Sequence, residues 1–126
     1  MTRILVVDDD PDITLAFKKG LENDGFQVDT FNDPGAALSE FKPSRYDLLL
    51  LDVRMPEMNG FELFREIEKI DSEVKVCFIT AFEVYYEALR EVFPSLEVEC
   101  FIRKPIEITN LVKKIRGELT KPNHGK

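Results

Sequence analysis

The sequence predicts an α/β domain in which a parallel five-stranded sheet is covered by helices on both faces. Short apolar runs alternate with amphipathic segments five times along the 126 residues. The third apolar run, Tyr46–Leu51, is almost continuously hydrophobic, as expected for a strand that is buried on both faces. Strands and helices in strict alternation favour parallel pairing, because each helix carries the chain back across the sheet.

Each element has its own local signal. Asp10 precedes Pro11, which is typical of a helix N-cap followed by the first helical turn, and Asn32-Asp33-Pro34 opens the second predicted helix. Apolar residues recur at helical spacing in the last segment. The predicted strands are Arg3–Val7, Phe26–Thr30, Tyr46–Leu51, Val74–Ile79 and Glu97–Ile102. The predicted helices run from Asp10-Pro11 to Asp24-Gly25, from Asn32-Asp33-Pro34 to Phe41, and over Gly60–Ile70, Phe82–Phe93 and Ile108–Leu119. Residues 1–120 are predicted to form one domain, and residues 121–126 a polar tail.

Composition excludes several classes of function. The net charge of −7 argues against direct binding of nucleic acid, which depends on Lys and Arg contacts with phosphates. No run approaches the ~20 apolar residues of a membrane span, and the first apolar run is too short for a signal peptide. We therefore expect a cytoplasmic protein without membrane insertion. His124, the only histidine, lies in the polar tail, which removes Ser-His and Cys-His catalysis from the core.

The two cysteines, Cys77 and Cys100, both lie in apolar stretches. Neither belongs to a CxxC motif or has a histidine at metal-binding spacing. We expect them to be buried, reduced core residues.

Chemically capable side chains follow four of the five predicted strands. Parallel α/β sheets bind their ligands beyond the carboxyl ends of the strands, so these residues are expected to share one crevice. Only the second strand ends without such a candidate. The residues in question are Asp8, Asp9 and Asp10 after strand one, Asp52 after strand three, Thr80 after strand four, and Lys104 and Pro105 after strand five.

This set of side chains fits phosphoryl transfer. Clustered carboxylates repel one another and resist joint ionisation, and a hard cation such as Mg²⁺ relieves that repulsion. A carboxylate nucleophile, a metal, a lysine and a hydroxyl donor then position and neutralise the transferred group.

Four segments resemble receiver domains of two-component response regulators. They are the acidic opening Ile4–Asp10, the segment Leu48–Gly60 around Asp52, Phe78–Ala81, and Ile102–Pro105. The likeness covers about residues 3 to 119 and keeps the order of the motifs. It implies a single (βα)5 flavodoxin-like domain with strand order 2-1-3-4-5.

The resemblance also implies a phosphoacceptor and a metal site. Asp52 resembles the aspartate that receives the phosphoryl group. Asp9 and Asp52, together with the backbone carbonyl of Arg54, would bind Mg²⁺, and Asp8 would act mainly through a metal-bound water. Mn²⁺ or Ca²⁺ is expected to be able to replace Mg²⁺.

Five further residues receive roles by the same resemblance. Lys104 would pair with Asp52 and then with the phosphoryl group, which Thr80 and the backbone N–H of Ala81 would also bind. Thr80 and Phe101 resemble the family's switch pair, and Pro105 its cis-proline. Here the switch aromatic is Phe101, whereas the family often has tyrosine.

The implied function is signal relay. The phosphoryl donor would be a phosphohistidine on a sensor histidine kinase or a phosphotransfer protein. The surface formed by predicted helix four, strand five and helix five would pass the signal to an output domain, a downstream protein or a second copy in a phosphorylation-dependent homodimer. The chain would not be an enzyme beyond its own aspartyl phosphorylation and dephosphorylation.

The segment from Pro94 to Cys100 departs from the small Gly-Ala segment that is frequent in the family.

Three alternatives remain open at this stage. In a haloacid-dehalogenase-like phosphatase Asp8 would be the nucleophile and Asp10 the acid, but Asp52 would then have no role. A receiver-like module that no longer accepts phosphate would not need the intact acids, Thr80 and Lys104. A flavodoxin-like cofactor binder would need a phosphate-binding loop after strand one, where three carboxylates would repel a phosphate.

Overall fold

The computed structural model describes residues 1–81 and 100–121. Five strands alternate with helices along the chain. The strands are β1 (Arg3–Val7), β2 (Gln27–Phe31), β3 (Leu48–Asp52), β4 (Lys75–Thr80) and β5 (Phe101–Arg103). The helices are α1 (Pro11–Asn23), α2 (Pro34–Glu40), α3 (Gly60–Ile70) and the C-terminal helix (Ile108–Leu119). The predicted fourth helix, the start of the predicted fifth strand and most of the predicted tail lie outside the described residues.

All five strands pair in parallel in the order β2-β1-β3-β4-β5. The predicted fold class and strand order are therefore confirmed. The register places the last residue of β3, Asp52, opposite Ile79, so Thr80 lies one position further along the neighbouring strand. The carboxyl ends of β1, β3, β4 and β5 consequently meet at one edge of the sheet.

The central strand β3 separates two hydrophobic cores. Leu49 and Leu51 pack into the core under α2 and α3. Leu48 and Leu50 pack into the opposite core, under α1 and the C-terminal helix. Successive side chains of a strand point to opposite faces, so an unbroken leucine run serves both layers. Burial on both faces explains why this strand reads as continuously apolar.

Element boundaries differ from the predicted ones by one or two residues. Strand β2 begins at Gln27, because Gly25 has a φ of 94° that ends the helical region and the Gln27 amide donates to the Thr2 carbonyl. Strand β3 begins at Leu48. The preceding Asp47 accepts from the Arg3 amide through its side chain and donates its own amide to the Arg3 carbonyl, which joins the start of β3 to β1. The predicted N-cap Asp10 is confirmed, since its side chain accepts from a backbone amide of the first turn, and Asp33 caps α2 in the same way.

The expectation of two reduced cysteines is wrong in this structure. Cys77 and Cys100 are buried, as predicted, but they form a disulfide with a Cα–Cα distance of 4.6 Å. Phe78 pairs with Phe101 in the β4–β5 register, so the two cysteines that precede them lie side by side and point to the same face. Sequence spacing conceals this proximity, because the two cysteines are 23 positions apart in the chain.

None of the helices in residues 1–81 and 100–121 has the length and apolar character that crossing a membrane requires.

Candidate functional site

Three aspartates meet at the carboxyl edge of the sheet. Asp8 and Asp9 follow β1, and Asp52 ends β3. One carboxylate oxygen from each lies within 4.8 Å of the others. Asp8 and Asp52 are buried, with 1% and 5% of their surface exposed, whereas Asp9 is exposed. The cluster thus has a buried floor of two carboxylates and a third carboxylate open to solvent.

Lys104 brings a positive charge into this cluster from the far end of the chain. Its Nζ lies 2.6 Å from Asp8 Oδ2 and 3.6 Å from Asp52 Oδ1. The Lys104 amide donates to the carbonyl of Thr80 at 2.9 Å, which fixes the lysine backbone beside β4. The ammonium group therefore bridges the two buried carboxylates, with the shorter contact to Asp8.

The buried carboxyl of Asp52 resists ionisation. The pKa of Asp52 is raised to about 7, mainly by burial. The negative charge of Asp8 raises this pKa further, and the positive charge of Lys104 lowers it. One ammonium group shared between two carboxylates does not compensate for desolvation and mutual repulsion. A second cation at this place would favour the ionised form of Asp52.

A hard divalent cation fits the cluster. The donors are carboxylate oxygens, which Mg²⁺ prefers, and the exposed Asp9 leaves room for the waters that Mg²⁺ retains. Asp8, Asp9 and Asp52 are the residues that would hold it. The backbone carbonyl of Arg54 stays a predicted ligand.

The loop that carries Asp8 and Asp9 is held by the end of β2. The Asp8 amide donates to the Phe31 carbonyl at 3.1 Å, and the Asn32 side-chain amide donates to the Asp8 carbonyl at 2.8 Å. The Asp8 carboxylate accepts from the Asp10 amide at 3.0 Å. Sequence reasoning found no candidate after strand two, because Asn32 can be interpreted equally well as the opening of α2.

The loop from β3 to α3 lies tightly against the site. The Gly60 amide donates to the Val53 carbonyl at 3.0 Å, and a Cβ at Gly60 would lie 2.4 Å from the Asp52 carbonyl oxygen. Asn59 and Glu62 form a reciprocal capping box at the start of α3. Only glycine permits this close approach of α3 to the strand that ends in Asp52.

The remaining predicted residues lie on β4 and β5 or shortly after these strands. Thr80 is buried at the end of β4, and Ala81 follows it at the surface. The ring of Phe101 is partly buried, 6.0 Å from the ring of Phe61. The peptide bond before Pro105 is cis. The structure thus brings Asp8, Asp9, Asp52 and Lys104 into direct proximity and places Thr80 on the adjacent strand.

Fold and site together define a flavodoxin-like α/β domain with an acidic, metal-compatible cluster and a lysine at its carboxyl edge. The family model "Response regulator receiver domain" matches residues 4–116. The chain therefore belongs to the response regulator receiver domain family.

Individual relatives agree with this assignment. The response regulator receiver protein CpdR of Brucella abortus is 35% identical over 94% of this chain and 98% of its own length. The non-phosphorylated HemR receiver domain from Leptospira biflexa superimposes with a TM-score of 0.83, at 29% identity and 96% coverage of both chains. Response regulator TrrA from Thermotoga maritima, solved in complex with Mg²⁺-BeF, has a TM-score of 0.78 and 32% identity, with coverage of 93% of this chain and 98% of TrrA. The chain spans about half the length of several transcriptional regulatory proteins that it also matches.

Proposed function

We propose that Asp52 accepts a phosphoryl group from a phosphohistidine on a sensor histidine kinase or phosphotransfer protein, in a reaction that requires Mg²⁺. The observation that carries this proposal is the convergence of Asp8, Asp9 and Lys104 on Asp52 in a receiver-family chain. The chain would catalyse only its own phosphorylation and dephosphorylation. Mn²⁺ or Ca²⁺ is expected to replace Mg²⁺, since both also take oxygen ligands.

The residues around Asp52 would each have a separate role in the phosphoryl transfer. The P–N bond of the donor breaks while a P–O bond to an Asp52 carboxylate oxygen forms, and the donor imidazole takes up a proton. When bound, Mg²⁺ supplies charge neutralisation at the transferred group. Lys104 would move its ammonium group from Asp8 and Asp52 towards the phosphoryl oxygens, and the Thr80 hydroxyl and the Ala81 N–H would donate to them.

Labelling with a small phosphodonor tests the acceptor. The chain is incubated with acetyl phosphate and Mg²⁺, and intact mass and peptide mapping then locate the added phosphoryl group. We expect wild type to be labelled at Asp52, Asp52→Asn to lose labelling, and Asp10→Asn to keep it. Labelling of the Asp52→Asn protein at Asp8 would instead favour the phosphatase-like arrangement. A chain that is never labelled would favour an interaction module without phosphate.

The signal would leave the site through the surface of the predicted fourth helix, β5 and the C-terminal helix. Phosphorylation adds roughly −1.5 to −2 charges and three acceptor oxygens. If Thr80 turns towards one of these oxygens, it vacates space into which the partly buried Phe101 ring can rotate. The charge of the phosphoryl group would then shift the equilibrium between two conformations of this surface.

Amide exchange at matched phosphate occupancy tests this relay. In wild type the changes on phosphorylation should concentrate at residues 80–105 and extend into the C-terminal helix. They should shrink in Thr80→Ala and persist in Thr80→Ser, which keeps the hydroxyl group. Equal changes in all three proteins would exclude Thr80 as the relay.

The partners follow from the proposed switch. A groove between β5 and the C-terminal helix is lined by Phe101, Pro105, Ile106, Asn110 and Lys113, among others, and offers an apolar and basic surface to an output domain, a downstream protein or a second phosphorylated copy. Direct binding to nucleic acid is not expected at a net charge of −7. The proposed location is the cytoplasm, where sensor kinases present their phosphohistidine.

A further inference from the structure

The first residue after β2 links the site loop to α1. Asn32 donates one side-chain hydrogen bond to the Asp8 carbonyl at 2.8 Å and another to Thr14 Oγ1 at 3.0 Å. These contacts join positions that are 24 and 18 residues apart in the chain. Both partners are buried, with 1% of Asp8 and 3% of Thr14 exposed.

The direction of the hydrogen bonds is determined throughout this group. A backbone carbonyl only accepts, so the amide nitrogen of Asn32 must face Asp8. The Thr14 hydroxyl donates to the Pro11 carbonyl at 3.1 Å, which leaves its oxygen as the acceptor for the second hydrogen of Asn32. Both side-chain N–H groups of Asn32 and the Thr14 hydroxyl are thus matched to acceptors. The Asn32 amide can therefore adopt only one orientation in this network.

The contact with Asp8 acts on the peptide unit that joins the two acidic residues. The Asp8 carbonyl belongs to the peptide between Asp8 and Asp9. A hydrogen bond to that carbonyl restricts rotation of the peptide, and therefore restricts the direction in which Asp9 leaves the chain. The Asp8 amide is held independently by the Phe31 carbonyl. The end of β2 consequently holds Asp8 on both sides of its Cα.

We propose that Asn32 and Thr14 are positioning residues that orient the Asp8–Asp9 peptide for metal binding. This inference rests on the proposed Mg²⁺ site. Neither side chain would touch the metal: Asn32 would act through the Asp8 carbonyl, and Thr14 would act through Asn32. Partners of this indirect kind typically change metal affinity about 10–100-fold when removed. We expect Asn32→Ala and Thr14→Val to raise the half-saturating Mg²⁺ concentration by about tenfold.

Thermal unfolding over a Mg²⁺ series measures this effect without phosphorylation. The melting temperature is recorded from chelator through rising Mg²⁺ concentrations, because a ligand that binds only the folded state raises it by mass action. The rise begins near the concentration that half-saturates the site and then continues with the logarithm of the Mg²⁺ concentration, so a tenfold weaker site shifts the whole rise to about tenfold higher Mg²⁺. Thr14→Ser keeps the hydroxyl group and should stay within about twofold of wild type, a shift well below the tenfold expected for a lost partner. Asn23→Ala removes an exposed asparagine at the other end of α1 and is the matched control.

The outcomes separate the possible causes. A purely structural role would lower the melting temperature equally at every Mg²⁺ concentration and leave half-saturation unchanged, which would overturn the positioning role. If wild type itself shows no Mg²⁺ effect, the proposed metal site fails, and this inference fails with it. If Asn32→Ala does not fold, Thr14→Val decides, because it removes only the hydroxyl partner while keeping the side-chain shape.

Discussion

Replacing Asp52 with asparagine removes a buried carboxyl whose ionisation the fold opposes. The pKa of Asp52 rises from 3.8 to about 7 in the folded chain, mainly through burial. Below about pH 3.8 both folded and unfolded chains hold the proton, and above about pH 7 both have lost it. Between these values the folded chain binds more protons, so rising pH lowers the free energy of unfolding.

The size of the effect follows from the shift. At about 1.4 kcal/mol per pKa unit, the rise from 3.8 to about 7 makes the ionised carboxylate cost the folded state about 4 kcal/mol. The neutral amide of the Asp52→Asn variant carries no such cost. This variant should therefore be more stable than wild type at pH 8, and its advantage should shrink by about 3 kcal/mol at pH 5.

Urea unfolding at pH 5, 6, 7 and 8 in the presence of a chelator measures the difference between variant and wild type. Subtraction at each pH cancels the titration of groups that the two proteins share. Glu68→Gln, which removes an exposed carboxylate on α3, is the control. A difference between Asp52→Asn and wild type that is the same at every pH would refute the argument that burial holds the proton on Asp52.

Three further outcomes are expected. Asp9→Ala should abolish most of the Mg²⁺-dependent rise in melting temperature, since it removes one of three clustered carboxylates; a full rise would exclude Asp9 as a ligand. Lys104→Met should lower the free energy of unfolding by about 3 kcal/mol at pH 8 without metal, because Asp8 loses its buried partner; unchanged urea unfolding would contradict this. Reduction of the Cys77–Cys100 disulfide should lower the free energy of unfolding by roughly 3 kcal/mol, the value that loop entropy gives for their spacing. Equal unfolding with and without reductant would show that the disulfide does not stabilise the fold.

Periodicity predicts most of the fold from local information. The leucine run of β3 and the helical spacing of the C-terminal helix each depend on residues close in sequence. Element ends are less predictable, because they depend on pairing between distant segments. Strand β2 begins at Gln27, whose amide donates to the Thr2 carbonyl. Nothing in the local sequence around either residue indicates this contact.

In the candidate site, too, some features can be predicted from the local sequence and others depend on contacts between distant segments. Asp8, Asp52 and Lys104 are identifiable because each ends or directly follows a strand and belongs to a family motif. The hydrogen bonds of Asn32 and the disulfide between Cys77 and Cys100 depend on the register of neighbouring strands. The raised pKa of Asp52 depends on its burial at the carboxyl edge of the sheet and on the nearby charge of Asp8. These properties arise from packing and have no local signature.

The separation of the charged partners has a consequence for the emerging polypeptide. Lys104 and Asp8 are 96 positions apart, and they meet only after β5 has joined the far side of β4. A nascent chain still lacking β5 would present its acids without the lysine, and so would be a poor acceptor. Under the proposed function, phosphate uptake would then require β5 to be in place beside β4, and nascent chains without β5 would compete poorly for the donor.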